Sequence, residues 1–101
     1  MDKKQTAHRV LVDSVLTGAG RATAEQRARA FANEGLPPPL DALIGTVVTR
    51  PAEVDFAAAT AAGVSEDEIF ELVVCAAVGE ATRQYEAGLA ALAEAVADDA
   101  A

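Results

Sequence analysis

Alanine dominates the apolar part of this chain and restricts the folds that it can form. Of its 101 residues, 25 are alanine, whereas leucine, isoleucine, valine and phenylalanine together number only 24. Alanine is the strongest helix former, but its side chain supplies little buried area. A domain of this length already folds with little margin. The composition therefore predicts closely packed helices around a thin core, and self-association that adds to the buried surface.

The rest of the composition excludes several classes of protein. One cysteine cannot form an intramolecular disulfide, which excludes a disulfide-stabilised secreted domain. The longest strongly apolar run, Leu72–Val78, is far shorter than the about 20 residues that a membrane span needs, and the first residues have no signal-peptide character. A net charge of −8 opposes contact with phosphate backbones. We expect an acidic, cytoplasmic protein that binds neither nucleic acid nor membrane.

Charge is spread unevenly along the chain. Residues 1–49 carry six basic and five acidic side chains, whereas residues 50–101 carry two and eleven, so the net charges are +1 and −9. A solvated acidic face explains this distribution. Alternatively, the mildly basic first two helices dock against acidic helices of a neighbouring subunit.

Helical periodicity and helix-breaking residues divide the chain into about five helices. Capping boxes of the Ser/Thr-x-x-Glu/Gln type begin two of them, at Thr23 and Ser65. Pro37–Pro39 predicts an extended, rigid connector, with a polyproline ligand for another domain as the alternative. The predicted helices cover residues 5–16, 23–34, 40–49, 53–62 and 65–97.

The last helix is the best defined. Residues 69–78 are apolar on nearly every side except at Glu71, which predicts a central position. Farther on, the apolar residues narrow to a single stripe, made of Tyr85, Leu89, Leu92 and Val96. Gly79 and Gly88 permit close approach of another helix, or a bend or break near Gly79.

We predict an all-α fold, a compact bundle of about five helices with a central C-terminal helix. It forms a single domain over residues 1–101, with an N-terminal helical hairpin over 1–36 and a helical core over 40–97. Asp98 and Asp99 place negative charge at the unfavourable end of the helix dipole, so we expect a frayed tail over residues 98–101.

One segment resembles a known family. Ala59–Glu71 reads Ala-Thr-Ala-Ala-Gly-Val-Ser-Glu-Asp-Glu-Ile-Phe-Glu. It is similar to the A-x-x-A-G-[LVM]-[ST]-x-[DE]-E-I-x-E segment of the carboxymuconolactone decarboxylase and alkyl hydroperoxidase D-like family. The similarity covers about Leu40–Leu92. It implies an alkyl hydroperoxidase D-like all-α fold that assembles into trimers or hexamers, with a dimer as a further option.

The redox members of that family carry a Cys-x-x-Cys pair followed by a histidine. In an ungapped register these positions correspond to Val48, Pro51 and Asp55, so all three functional residues are replaced. A two-thiol relay needs one attacking and one resolving sulfur. Because the chain holds a single cysteine, we expect neither thiol peroxidase nor disulfide reductase activity.

Three residues are candidates for acid or base chemistry. Glu71 lies in an apolar segment, where its pKa is raised unless the carboxylate is paired, with Arg83 or Arg50 as the expected partner. Asp55 stands at the family's histidine position, although an ordinary helix-start carboxylate is the simpler interpretation. His8, the only histidine, lies on the first helix outside the similar segment.

Three further residues are candidates for binding: Arg83, Tyr85 and Cys75. Tyr85 suits an interface, the core or the rim of a pocket. Cys75 lies one turn after Glu71, and we expect a buried thiol whose pKa that carboxylate raises. One histidine and one cysteine do not make a usual zinc set, so we expect no metal and no cofactor.

Our leading hypothesis is a non-redox carboxymuconolactone decarboxylase-like protein that acts as an oligomeric binding or scaffold module. A small acidic or aromatic-derived ligand is compatible with it. The alternative is a decarboxylase- or isomerase-type enzyme that uses carboxylate or histidine groups in a pocket between subunits. An enzyme should hold such a group in a closed cavity, whereas a binding module should have these groups exposed or ion-paired. A partnership with a larger protein is a third interpretation.

Overall fold

A 35-residue C-terminal helix organises the fold. The computed structural model describes residues 2–100, and among these it contains five α-helices, one short 3-10 helix and no strand. This confirms the predicted all-α class with its long C-terminal helix. The α-helices are α1 (Lys3–Thr17), α2 (Ala24–Ala32), α3 (Leu40–Thr49), α4 (Ala57–Ala61) and α5 (Glu66–Ala100), and the 3-10 helix is Pro51–Glu53.

Local hydrogen bonds begin α2 and α5 where the sequence predicts, whereas α1 begins two residues before the predicted Gln5. Thr23 accepts the N–H of Gln26 at 3.0 Å, and the Gln26 side chain accepts the N–H of Thr23 at 3.0 Å, which completes the capping box of α2. The Ser65 hydroxyl accepts the N–H of Glu68 at 3.2 Å at the start of α5. Asp2 caps α1 in the same way, by accepting the N–H of Gln5 at 2.8 Å. These side chains satisfy backbone donors that a helix leaves unpaired at its first turn.

Gly79 sets the distance between α2 and α5. A Cβ atom at this position would overlap the carbonyl oxygen of Phe31, at the end of α2. The glycine therefore permits the close approach that the sequence predicts. The predicted alternative of a break is wrong, because α5 is one continuous helix through Gly79 and Gly88.

The core is thin, as the composition predicts. The side of α5 that carries Leu72 and Cys75 packs against α2 and α3. Four of the eleven buried apolar residues are alanines, which contribute little area each. The expectation that residues 69–78 are buried all round is wrong at Phe70, whose side chain is 70% exposed because it lies on the outer face of α5. The buried residues are Ala22, Ala30, Leu36, Leu40, Leu43, Ile44, Ala59, Ile69, Leu72, Cys75 and Ala76.

Two connecting segments differ from the prediction. The carbonyl oxygen of Pro37 accepts the N–H of Leu40 at 2.9 Å, so the proline triplet closes a turn instead of running extended. The helix predicted over residues 53–62 is divided into the 3-10 helix and α4. Asp55 lies between the two, and its Oδ1 accepts the N–H of Ala57, the first residue of α4, at 2.9 Å. Gly63, with φ +87°, follows α4 in the left-handed region, where glycine is unstrained.

The second half of α5 extends beyond the other helices. Every residue from 84 to 99 is exposed, so α5 is central only in its first half. Helical structure continues through Asp98 and Asp99 to Ala100, and Ala101 lies outside the described residues. The chain measures 57 × 27 × 21 Å. Its radius of gyration is 16.1 Å, compared with about 13 Å for a globular chain of this length.

Candidate functional site

Three cross-helix contacts show that α1 lies antiparallel to the first half of α5. His8 contacts Thr82, the carbonyl oxygen of Val15 contacts Cys75, and the connection after α1 contacts Glu71. Residue numbers therefore rise along α1 while they fall along α5. This pairing places the single histidine beside the single tyrosine at one end of α1 and the single cysteine near Glu71 at the other end.

His8 is held in one orientation by two neighbours on α5. Its Nε2 lies 2.9 Å from the hydroxyl oxygen of Thr82, and its ring stacks on Tyr85 with centroids 5.0 Å apart and planes inclined by 18°. The Thr82 hydroxyl donates its proton to the carbonyl oxygen of Val78 at 2.7 Å. A hydroxyl has one proton, so towards His8 it acts as the acceptor and Nε2 carries a proton. In the neutral imidazole, Nδ1 is then an acceptor.

These side chains form one wall of a groove between α1 and α5, which we call the α1–α5 groove. Its volume is about 470 Å³, within the range of about 300–1,000 Å³ that small-molecule sites occupy. Three of the nine lining residues are purely apolar and six carry polar groups, among them one cation, Arg9, and one carboxylate, Glu86. The lining residues are Gln5, His8, Arg9, Val12, Phe31, Thr82, Tyr85, Glu86 and Leu89.

At the other end of α1, Glu71 fixes the connection between α1 and α2. Its carboxylate accepts the backbone N–H groups of Arg21 at 2.8 Å and Ala22 at 2.6 Å, and lies 3.6 Å from the Arg27 guanidinium. A Cβ atom at Gly20 would overlap both the Glu71 and the Arg27 side chains. The cluster therefore depends on the absence of a side chain at Gly20.

The pKa of Glu71 is lowered from its ordinary value. The largest cause is the hydrogen bond from Ala22, followed by that from Arg21; burial opposes them, and the positive charge of Arg27 adds to the lowering. The sequence predicts a raised pKa only for an unpaired carboxylate. Glu71 is paired, so a lowered pKa agrees with that prediction. The expected partners are wrong. Arg83 donates to the carbonyl oxygen of Phe31 at 2.6 Å and lies 3.1 Å from Glu80.

The other expected partner, Arg50, instead forms an ion pair with Glu53, with 3.4 Å between the charged groups. The true partner, Arg27, lies on the inner face of α2 and is 4% exposed. It also donates to the carbonyl oxygen of Gly18, while its Nε has no hydrogen-bond partner among residues 2–100. A basic residue in an otherwise apolar stripe of α2 was the available signal for this contact.

The Cys75 side chain is buried, and its thiol forms a hydrogen bond. Its thiol donates to the carbonyl oxygen of Val15 at 3.2 Å and is 1% exposed. Burial is the largest cause of its raised pKa, and the negative charge of Glu71 adds a smaller contribution against the lowering effect of Arg27. The raised pKa was predicted, but burial rather than Glu71 is its principal cause. A thiol in this state is a poor nucleophile.

The structure therefore brings only some of the candidate residues together. His8 and Tyr85 share the α1–α5 groove, whereas Glu71 and Cys75 belong to the opposite end of α1. Asp55 lies apart from both, in an exposed position before α4. Sequence reasoning missed Thr82, because a threonine on a long helix gives no signal of the side chain that it meets.

Among residues 2–100, no helix is long and apolar enough to cross a membrane, and no group of three or more histidine, cysteine or acidic residues is arranged to hold a metal ion. Comparison with models of protein families, with characterised proteins and with solved structures gives no match.

Proposed function

We propose that this chain is a non-redox, homo-oligomeric binding module of the carboxymuconolactone decarboxylase-like type, with the α1–α5 groove as its binding site. One observation carries the site: Thr82 and Tyr85 hold the imidazole of His8 in a fixed orientation on the wall of a groove large enough for a small molecule. Small-molecule sites combine apolar surface with polar groups that orient the ligand, and this groove offers both.

The lining indicates the chemical class of the ligand. Val12, Phe31 and Leu89 supply apolar surface, and the stacked rings of His8 and Tyr85 favour contact with a planar aromatic group. Arg9 is exposed at the groove and offers its guanidinium to a carboxylate. A small aromatic acid combines these properties.

The hydrogen bonds formed by Glu71, Asp55 and Cys75 within the chain favour a binding module over an enzyme. The carboxylate of Glu71 is used by two backbone N–H groups and Arg27, and Asp55 caps α4, so both have structural partners. The buried thiol of Cys75, hydrogen-bonded to Val15, supports the absence of thiol chemistry.

One observation favours the alternative, an acid/base enzyme of the decarboxylase or isomerase type. The hydroxyl of Thr82 is the hydrogen-bond partner of Nε2 of His8. Nδ1 of His8 forms no hydrogen bond among residues 2–100. This nitrogen can accept a proton from a ligand in the groove. Turnover of a bound aromatic acid that is lost in His8→Gln, with binding retained, would select the enzyme over the module.

Nuclear magnetic resonance tests the binding site directly, because the chain contains one histidine and one tyrosine. Benzoate and 2-naphthoate are titrated against the intact protein, with benzyl alcohol as the uncharged probe. We expect saturable shifts of the His8 and Tyr85 ring signals with the two carboxylates and weaker shifts with the alcohol.

A pair of variants on α1 serves as the control for charge. Arg9→Gln removes the cation of the groove, whereas Lys4→Gln removes the same charge from the same helix outside the lining residues. We expect carboxylate affinity to fall at least about tenfold in the first variant and to stay within about twofold in the second. Absence of any ring shift, or equal losses in both variants, would contradict the proposed site.

A further inference from the structure

The part of α5 that extends beyond the other helices carries an exposed apolar stripe. Leu92 and Val96 are 61% and 59% exposed, and Tyr85 and Leu89 are more than one-third exposed. The four residues follow at intervals of four, three and four, which places them on one face of the helix. We call residues 85–99 the α5 extension.

The surface of the chain is larger than that of a typical monomer of its mass. The accessible area is 6637 Å², whereas a monomeric protein of 10.3 kDa exposes about 5,400 Å². The excess of roughly 1,200 Å² is more than the about 800 Å² that each partner buries in a typical stable interface. An isolated helix of this length is only marginally stable in water, so a partner is expected along the extension.

We propose that the α5 extension pairs antiparallel with the α5 extension of a second copy of this chain, around a two-fold axis between residues 90 and 91. The inference rests on the oligomeric part of the proposed function. The intervals four, three and four read the same in both directions along the helix. An antiparallel pair therefore places Leu89 opposite Leu92 of the second copy, and Tyr85 opposite Val96 of the second copy.

The small residues of the extension agree with this register. Gly88 lies beside the stripe, and an added Cβ there would meet nothing within 4 Å in the chain itself. Glycine within a helix costs about 0.5–1 kcal/mol relative to alanine, and no contact within the chain explains that cost. In the proposed pair Gly88 neighbours Ala95 of the second copy, where two small residues permit close approach of the helices.

The charged residues of the extension are compatible with this pair. Glu94 and Asp98 lie on the side of the helix away from the stripe, and Glu86, beside the stripe, neighbours Ala93 of the second copy. These three acidic side chains therefore do not oppose one another across the pair.

The same pairing completes the α1–α5 groove. Tyr85 and Leu89 belong both to the stripe and to the lining of the groove. Val96 and Leu92 of the second copy contact these two residues, so the second copy closes the end of the groove beside them. The binding site is thus shared between two copies.

Association is tested on the full chain by sedimentation equilibrium over a range of concentrations. We expect a mass that is an even multiple of 10.3 kDa. Leu92→Lys places a charge within the stripe, and we expect at least about tenfold weaker association. The matched control, Ala90→Lys, adds the same charge on the opposite face of the extension and should leave the association constant within about twofold.

Disulfide formation tests the register and does not depend on a destabilising variant. In a Cys75→Ala background, Leu89→Cys and Leu92→Cys proteins are mixed and oxidised mildly. The antiparallel pair predicts that the mixed Leu89–Leu92 disulfide forms faster than either homodimeric disulfide, since only the mixed pair is directly opposite. Faster Leu92–Leu92 formation would overturn the antiparallel arrangement.

The outcomes separate this inference from the proposed function. An unchanged mass for Leu92→Lys, or an assembly with an odd number of chains, would overturn the pairing while the oligomeric proposal stands. A monomer at all concentrations would overturn the pairing and the oligomeric part together. Binding of aromatic carboxylates to the groove is measured independently by the ring signals of His8 and Tyr85.

Discussion

The backbone N–H of Ala22 donates a 2.6 Å hydrogen bond to the carboxylate of Glu71, a residue 49 positions away. The adjacent N–H of Arg21 donates to the same carboxylate. These bonds attach the connection between α1 and α2 to the side of α5, and they do so beside the buried cation of Arg27. Glu71 therefore positions α1, and through α1 it positions His8 in the α1–α5 groove.

Replacement of Glu71 should destabilise the whole fold. Glu71→Gln keeps the size of the side chain but leaves Arg27 buried without a counter-charge and places an amide group against the N–H donors. We expect the free energy of unfolding in urea to fall far more than in Glu66→Gln, an exposed residue of the same helix. Equal effects in the two variants would show that the cluster contributes little to stability.

Stability should depend on pH through Glu71. Its pKa in the folded protein is lowered from the ordinary value of 4.5, so the folded state binds the proton less readily than the unfolded state. The resulting stabilisation is fully present above pH 4.5 and is lost as the pH falls through the lowered pKa. Urea denaturation between pH 6 and pH 3 should show this loss, and Glu71→Gln should show a smaller one. A profile that is identical in the variant would contradict the assignment.

Gly79 should not tolerate a side chain. Gly79→Ala forces α2 away from α5, because the added methyl group meets the carbonyl oxygen of Phe31. We expect a loss of about 1–3 kcal/mol in the free energy of unfolding. Gly45→Ala, within α3 and with no atom within 4 Å of the added Cβ, should instead gain about 0.5–1 kcal/mol. A neutral Gly79→Ala would show that the two helices are not in close contact.

The hydrogen bond between His8 and Thr82 should contribute measurably to stability. Thr82→Val removes the acceptor while keeping the shape, and we expect a loss of about 1 kcal/mol. The same substitution in a His8→Phe background should cost less, because the imidazole is already absent. Chemical denaturation of the four proteins gives the coupling energy, and a value near zero would indicate that the two side chains do not interact in solution.

Cys75 should be protected from thiol reagents in the folded protein. Its thiol is buried and its pKa is raised, so both access and thiolate formation are limited. With an aromatic disulfide reagent at pH 8, we expect modification on the order of a hundredfold slower than in denaturant. The control is Cys75→Ala with Ala77→Cys, which moves the thiol to a neighbouring exposed position. Equal rates in the two folded proteins would contradict the buried placement.

Much of the fold could be predicted because it depends on local interactions. The capping bonds of Thr23 and Ser65 join residues three positions apart, and Gly63 ends a helix through its own backbone conformation. The stripe of α3 follows from periodicity, and its Leu43 and Ile44 are buried as expected. The single cysteine also predicts that no thiol relay operates, since such a relay requires a second sulfur, and this expectation stays a prediction.

Only the tertiary structure decided which distant side chains meet. His8 and Thr82 are 74 residues apart, and Glu71 found its cation in Arg27 rather than in Arg83 or Arg50. Residue order specifies helices, because their hydrogen bonds span four positions. It does not specify how far one helix is rotated or shifted along another. That choice depends on the packing of small residues such as Gly20 and Gly79, and it determines where the groove and the ion pair form.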